Sequence, residues 1–137
     1  MPTTSTRDLV RRYQDALNAS DFDALDDIIA PDIATPDILP GFGQGLEGVK
    51  AIARATAHAW PDFHVAIDDL VAEDDEAIAR ITMTGTAVND FGTMLPGNGR
   101  SFRFTGAYYI RARAGKIVEH VGVEDGLSLL RQLGLMP

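Results

Sequence analysis

The apolar residues of this chain change their spacing once, near Phe63. Before it they recur every three to four positions, and after it every two. A chain that is helical first and stranded second cannot build the alternating units of a parallel sheet. It has to fold its helices onto an antiparallel sheet, which is the α+β class.

In the first half, "STRDLVRRYQDALNA" puts Leu9, Tyr13, Ala16 and Leu17 on one helical face, behind the start signature of Ser5 and Asp8. "SDFDALDDIIAPD" repeats the pattern with Phe22, Leu25, Ile28 and Ile29, capped near Ser20 or Asp21 and stopped by Pro31. "PDILPGFGQG" reads as a loop. "LEGVKAIARATAHAW" predicts a third helix with Val49, Ile52, Ala53, Thr56 and Trp60 on one face, ended by Pro61.

The second half predicts four strands. "FHVAIDDLVAE" is followed by a charged turn and then "AIARITMTGTAV", which separates Ala79, Ile81, Met83, Gly85 and Ala87 from Arg80, Thr82, Thr84 and Thr86. After the loop "NDFGTMLPGNG", the strand "RSFRFTGAYYIRAR" carries Phe102, Phe104, Tyr108 and Ile110 on one face. "AGK" turns the chain into "IVEHVGV", and "GLSLLRQL" closes it as a short helix. Gly85, Gly106 and Gly122 lie inside strands, where glycine marks a bend or bulge. A strongly curved sheet closed by helices is expected, forming a cone with an apolar interior able to hold a small molecule.

The length of 137 residues suits one domain over 1–137. A net charge of −8 disfavours nucleic acid and anionic membrane as partners. The chain has no cysteine, which removes disulfides and thiolate chemistry. The opening residues carry no apolar signal-peptide core, and no run reaches the roughly 20 apolar residues of a membrane span. A cytoplasmic location is the expectation.

Asp125 is the residue on which a functional reading turns. If its strand is regular, Asp125 shares a face with Ile117, Glu119, Val121 and Val123, at the end of an apolar row where a desolvated carboxylate could transfer protons. Asp before a helix is equally a favoured cap, which stabilises the charged form. Glu119 lies about 20 Å from it along an extended strand, too far for a paired-carboxylate site, and is expected to be salt-bridged or partly solvated.

Of the three histidines, His58 falls off the apolar face of its helix. His64 should point away from Phe63 and Val65, and His120 away from Asp125 unless the strand bulges. No two share metal-ligand spacing, so no metal site is expected. "GFGQG" follows a loop rather than a strand and lacks the lysine of a phosphate-binding motif; it reads as a connection or lid. Tyr13, Trp60, Met83, Phe104 and Tyr108 are the expected cavity wall, with Tyr108 or His120 making polar contacts.

Two segments, "PDFHVAIDDLVAEDDEAIARITMTGT" and "RARAGKIVEHVGVEDGLSLLRQLG", resemble the SnoaL-like polyketide cyclase (ester cyclase) family of the nuclear transport factor 2-like superfamily. The likeness runs over nearly the whole chain. It implies an α+β cone, or α+β barrel, with a curved antiparallel sheet wrapped around N-terminal helices and a short C-terminal helix. It further implies cofactor-free intramolecular aldol condensation of an aromatic or polyketide-like carbonyl compound. Asp125 matches the family's acid/base aspartate. A homodimer or homotetramer is implied too, for which the face of Thr82, Thr84 and Thr86 is suited. Ala87 and Val121 stand where many relatives have histidine and tryptophan, and "PGNGR" replaces "PTGR". These departures imply a smaller, more apolar pocket. They also keep two other readings in view: a binding or dimerisation module without chemistry, and a related hydrolase or hydroxylase.

Overall fold

The computed structural model describes residues 5–36 and 39–137. Met1 to Thr4, and Asp37 and Ile38 of the expected loop, lie outside the described residues. The elements run α1 (Thr6–Asn18), a 3-10 turn (Phe22–Ala24), α2 (Leu25–Ile28), β1 (Ile29–Ala34), α3 (Gly45–Ala59), β2 (His64–Glu73), β3 (Glu76–Thr86), β4 (Ser101–Arg113), β5 (Lys116–Glu124) and α4 (Gly126–Gln132). The described strands form one open sheet in the order β1-β5-β4-β3-β2. It is mixed: β1 pairs parallel to β5, and the other pairs are antiparallel.

β1 corrects the second predicted helix, which shrinks to a 3-10 turn and four α-helical residues before the chain extends. Ile29 continues the helical spacing of Phe22 and Leu25, yet it opens a strand on which Ile29 and Ile33 are both buried. Pro31 sits between them. It has no N–H to give to a ladder, which is tolerable on an edge strand.

Ser5 caps α1 by accepting the Asp8 N–H at 3.1 Å. Leu9, Val10, Tyr13 and Ala16 of α1 are buried in the one large core of the described residues, together with Ile81, Met83, Phe104, Tyr108 and Ile110. Buried Lys50 of α3 pairs with Asp26 of α2.

Side-chain amides complete the sheet where strands run out. Asn18 at the end of α1 takes both backbone groups of Val65, donating to its carbonyl at 2.9 Å and accepting its N–H at 3.0 Å. Gln132 of α4 does the same for Arg103, with both bonds at 2.8 Å. Arg7 donates to the Leu70 carbonyl at 3.0 Å.

The expected curvature is present, but the register breaks do not fall at the glycines. In the β2–β3 ladder Asp68 is the extra residue, between Ile67↔Ile81 and Asp69↔Arg80. In the β4–β5 ladder it is Val118, between Arg111↔Glu119 and Ala112↔Ile117. Gly85 and Gly106 are required for close approach instead: a Cβ would lie 2.8 Å from the Phe102 ring at Gly85 and 2.6 Å from the Val123 carbonyl oxygen at Gly106.

Candidate active site

The helices and the concave face of the sheet enclose a cavity of about 680 Å3, within the range usual for small-molecule sites. Its wall is divided by chemistry. One end is aromatic, built by Trp60, Phe63, Phe91 and Phe104. Trp60 closes α3 and packs against three rings, with centroids 5.4 Å from Phe63, 5.3 Å from Phe91 and 4.8 Å from Phe102. Val49, Ile52, Ala53 and Thr56 of α3 are only half-buried because their shared face borders the cavity.

The other end is polar. The His120 ring lies 4.9 Å from that of Tyr108 and 5.7 Å from that of Tyr13, and the two tyrosines meet edge-to-face at 6.1 Å. The Tyr108 hydroxyl donates to Gln14 Oε1 at 3.1 Å. Burial, and secondarily the neighbouring Tyr13, pushes the Tyr108 phenol well above its ordinary pKa. It therefore stays neutral, and with its hydrogen committed to Gln14 it faces a ligand as an acceptor.

His120 points inward because of Val118. In the antiparallel ladder Ile110 opposes His120 and Ala112 opposes Ile117. Both β4 residues are buried, so both β5 residues share the inner face. Past the bulge, His120, Gly122 and Glu124 line the cavity, while Val123 is exposed outside. The predicted face that joined Ile117 to Glu119, Val121 and Val123 is thus corrected: the extra residue moves Ile117 to the other side.

Asp125 stands at the N-cap of α4, exposed, with Oδ1 accepting the Ser128 N–H at 3.1 Å. It is not among the residues lining the cavity, where the ionisable side chains other than the tyrosines are His120 and Glu124. The other expected wall residues, Tyr13, Trp60, Met83, Phe104, Tyr108 and His120, all line it. Glu119 pairs with Arg111 at 3.3 Å, and His58 and His64 are exposed. Among the described residues no three His, Asp or Glu side chains are grouped to hold a metal ion, and no helix is long and apolar enough to cross a membrane.

Gln14, Thr35 and Glu124 are among the lining residues that escaped the sequence reading. Gln14 interrupts the helical stripe of Val10 and Leu17, and that interruption was a readable signal. Thr35 follows the unrecognised strand β1. Glu124 was hidden by the bulge. Among the described residues, Thr35 Oγ1 and Trp60 Nε1 are buried polar atoms without a hydrogen-bond partner.

The family model described as SnoaL-like polyketide cyclase matches residues 7–133. Among solved structures, TsrD from Streptomyces laurentii is 31% identical, with 99% of each chain covered and a TM-score of 0.87. IdmH from Streptomyces antibioticus, a candidate polyketide cyclase, is 30% identical over 96% of this chain and 99% of its own, with a TM-score of 0.82. AclR from Streptomyces galilaeus, a candidate hydroxylase, is 26% identical over 96% of this chain and 86% of its own, with a TM-score of 0.80. No curated protein matches the chain significantly.

Proposed function

The chain belongs to the SnoaL-like polyketide cyclase family, and from that premise we propose that it closes a ring in a polyketide-like carbonyl compound by intramolecular aldol chemistry, without a cofactor. The observation that carries this reading is the His120 imidazole at the polar end of the cavity, set between the Tyr13 and Tyr108 rings.

The neutral imidazole takes an acidic α-proton from the substrate. The enolate carbon attacks a second carbonyl carbon of the same molecule, and the imidazolium returns the proton to the new alkoxide. Nothing is oxidised or reduced, and the proton is conserved. Enolates delocalised over a conjugated system need little further stabilisation. The protein then supplies positioning together with proton transfer worth about 10²–10⁴-fold. We assign that transfer to His120 rather than to Asp125, whose carboxylate is engaged at the start of α4 outside the cavity lining.

Turnover of a panel of aromatic polyketide-like diketones tests this. His120→Gln should lose about two orders of magnitude or more, whereas Asp125→Asn, which can still cap, should stay within a few-fold. The reverse ranking would return the acid/base role to Asp125. Binding without turnover across the panel would favour a binding module.

We also infer a homo-oligomer joined through the outer face of the sheet. Val71, Ile78, Tyr109 and Val121 oppose one another in register across β2, β3, β4 and β5. Val71 is 69% and Ile78 56% exposed, an apolar row continuous over four strands. Two of the three threonines expected there have partners of their own: Thr82 donates to Asp68 at 2.6 Å and Thr86 to Asp62 at 2.7 Å.

A further inference from the structure

Two loops of opposite build meet at the rim of the cavity. Leu39 and Met94 both line it, yet Leu39 is 38% and Met94 48% exposed, so each stands between the cavity and solvent. Phe42, three residues after Leu39, meets Phe91, three residues before Met94, with ring centroids 6.2 Å apart.

The loop that carries Phe91 is tied down. Asn89 binds the end of α3 twice, its N–H donating to the Ala59 carbonyl at 3.0 Å and its side-chain amide to the His58 carbonyl at 2.9 Å. Asp90 accepts the Gly97 N–H at 2.8 Å, and Asn98 donates to the Leu133 carbonyl at 2.8 Å. Phe91 and Leu95 close the tip on each other through N–H···O bonds of 2.9 and 3.3 Å.

The "GFGQG" stretch is fixed at one end only by close packing: a Cβ at Gly45 would lie 2.6 Å from the Pro31 carbonyl oxygen. Gly41 and Gly43, on either side of Phe42, have φ of +92° and +86°, and a Cβ at either would meet nothing within 4 Å among the described residues. Glycine serves there for backbone freedom and not for close approach. Phe42 itself is half-buried against the core and is not among the residues lining the cavity.

We propose that Phe42 is the latch of an entry gate. Turning about Gly41 and Gly43, it leaves Phe91 and carries Leu39 away from Met94, and a ligand passes between the two loops while Phe91 stays in place. Because Phe42 lies outside the lining, it governs how fast a ligand enters and leaves and not how tightly it is held. Entry and exit use the same open state, so a weaker latch raises both rates by the same factor. The gate concerns any ligand of the cavity and does not rest on the ring-closing reading.

The probe is N-phenyl-1-naphthylamine, an uncharged aromatic dye whose emission rises in apolar surroundings, mixed with the intact chain by stopped flow. Phe42→Ala should raise its association and dissociation rates alike by about three- to tenfold, the factor that one aromatic pair contributes, and leave Kd within about twofold. Leu70→Ala, at a half-buried core residue that is not part of the lining, should leave both rates unchanged and so excludes general loosening. If Phe42→Ala does not fold, Phe42→Leu, which keeps an apolar contact and loses the ring, should show the same pattern at smaller amplitude.

Unchanged rates in the Phe42 variants, or equal acceleration in Leu70→Ala, would overturn the gate. So would a weaker affinity carried by dissociation alone, which would make Phe42 part of the binding wall. Exclusion of the dye from wild type and variants alike would overturn it too, since releasing the latch would then open no way in. A chain that passes the dye through this gate yet turns over no carbonyl substrate loses only the catalytic reading.

Discussion

Ile117 and His120 face the same side of β5 although three positions separate them, because Val118 is accommodated as an extra residue between them. Beyond that point every side chain lies on the face opposite to the one a regular strand would give it relative to Ile117. The chain contains no cysteine, so a single introduced thiol can report this directly. His120→Cys should react with a bulky maleimide several-fold more slowly than Asp125→Cys. Equal rates would mean that position 120 is not inside the cone.

The Asp125 cap makes its own prediction. Asp125→Ala removes the acceptor of the Ser128 N–H and should cost about 0.5–2 kcal/mol in urea unfolding, while Asp125→Asn should cost little. Equal losses from the two variants would show that charge, not capping, is what the position supplies.

Tyr108 should govern the alkaline limb of stability. Its folded pKa is raised by burial above the ordinary 10.0, so the folded state holds the proton more tightly than the unfolded chain. Its contribution is complete below about pH 10 and is lost as pH rises toward the folded value. Tyr108→Phe should flatten that decline. It should also lower stability at neutral pH by about 1–3 kcal/mol, because Gln14 Oε1 loses its donor.

Asp62 acts in the opposite direction. Its carboxylate accepts the Thr86 hydroxyl at 2.7 Å and the Thr86 N–H at 2.8 Å, which lowers its pKa from the ordinary 3.8, the hydroxyl bond contributing most. The stability it adds is present above pH 3.8 and fades as pH falls through the depressed value. Asp62→Asn should therefore be destabilised near pH 7, and its deficit should shrink on acidification below that range. A deficit independent of pH, followed by chemical denaturation, would assign the effect to geometry alone.

Ile78 lies at the centre of the outer apolar row. Ile78→Glu should shift the molecular mass measured by light scattering to that of one chain without unfolding it, since the side chain is 56% exposed. An unchanged assembly would place the contact elsewhere, and a wild-type monomer would dismiss it.

The α+β class and the order of the long elements were legible because long periodic segments leave little choice of burial, and the same periodicity pointed to a part of the cavity wall. Ile29 misled for a physical reason: it follows Phe22 and Leu25 at helical spacing, and only the pairing with β5, distant in sequence, decides for a strand. The cavity face of β5 was unreadable for a related reason. One extra residue changes parity without changing composition, and "KIVEHVGVE" has no glycine or proline at Val118 to announce it. Trp60 lines the cavity, but no spacing rule could show that its indole N–H would be buried without a hydrogen-bond partner.

An open sheet has two raw edges, and each could recruit a strand from another molecule. Here one of them carries Pro31, and the other is already stitched at Val65 by Asn18 and at Leu70 by Arg7. Growth into fibrils by strand addition is thereby discouraged at both margins. A contact on the broad outer surface, as proposed above, differs from strand addition in that it can close on itself and stop.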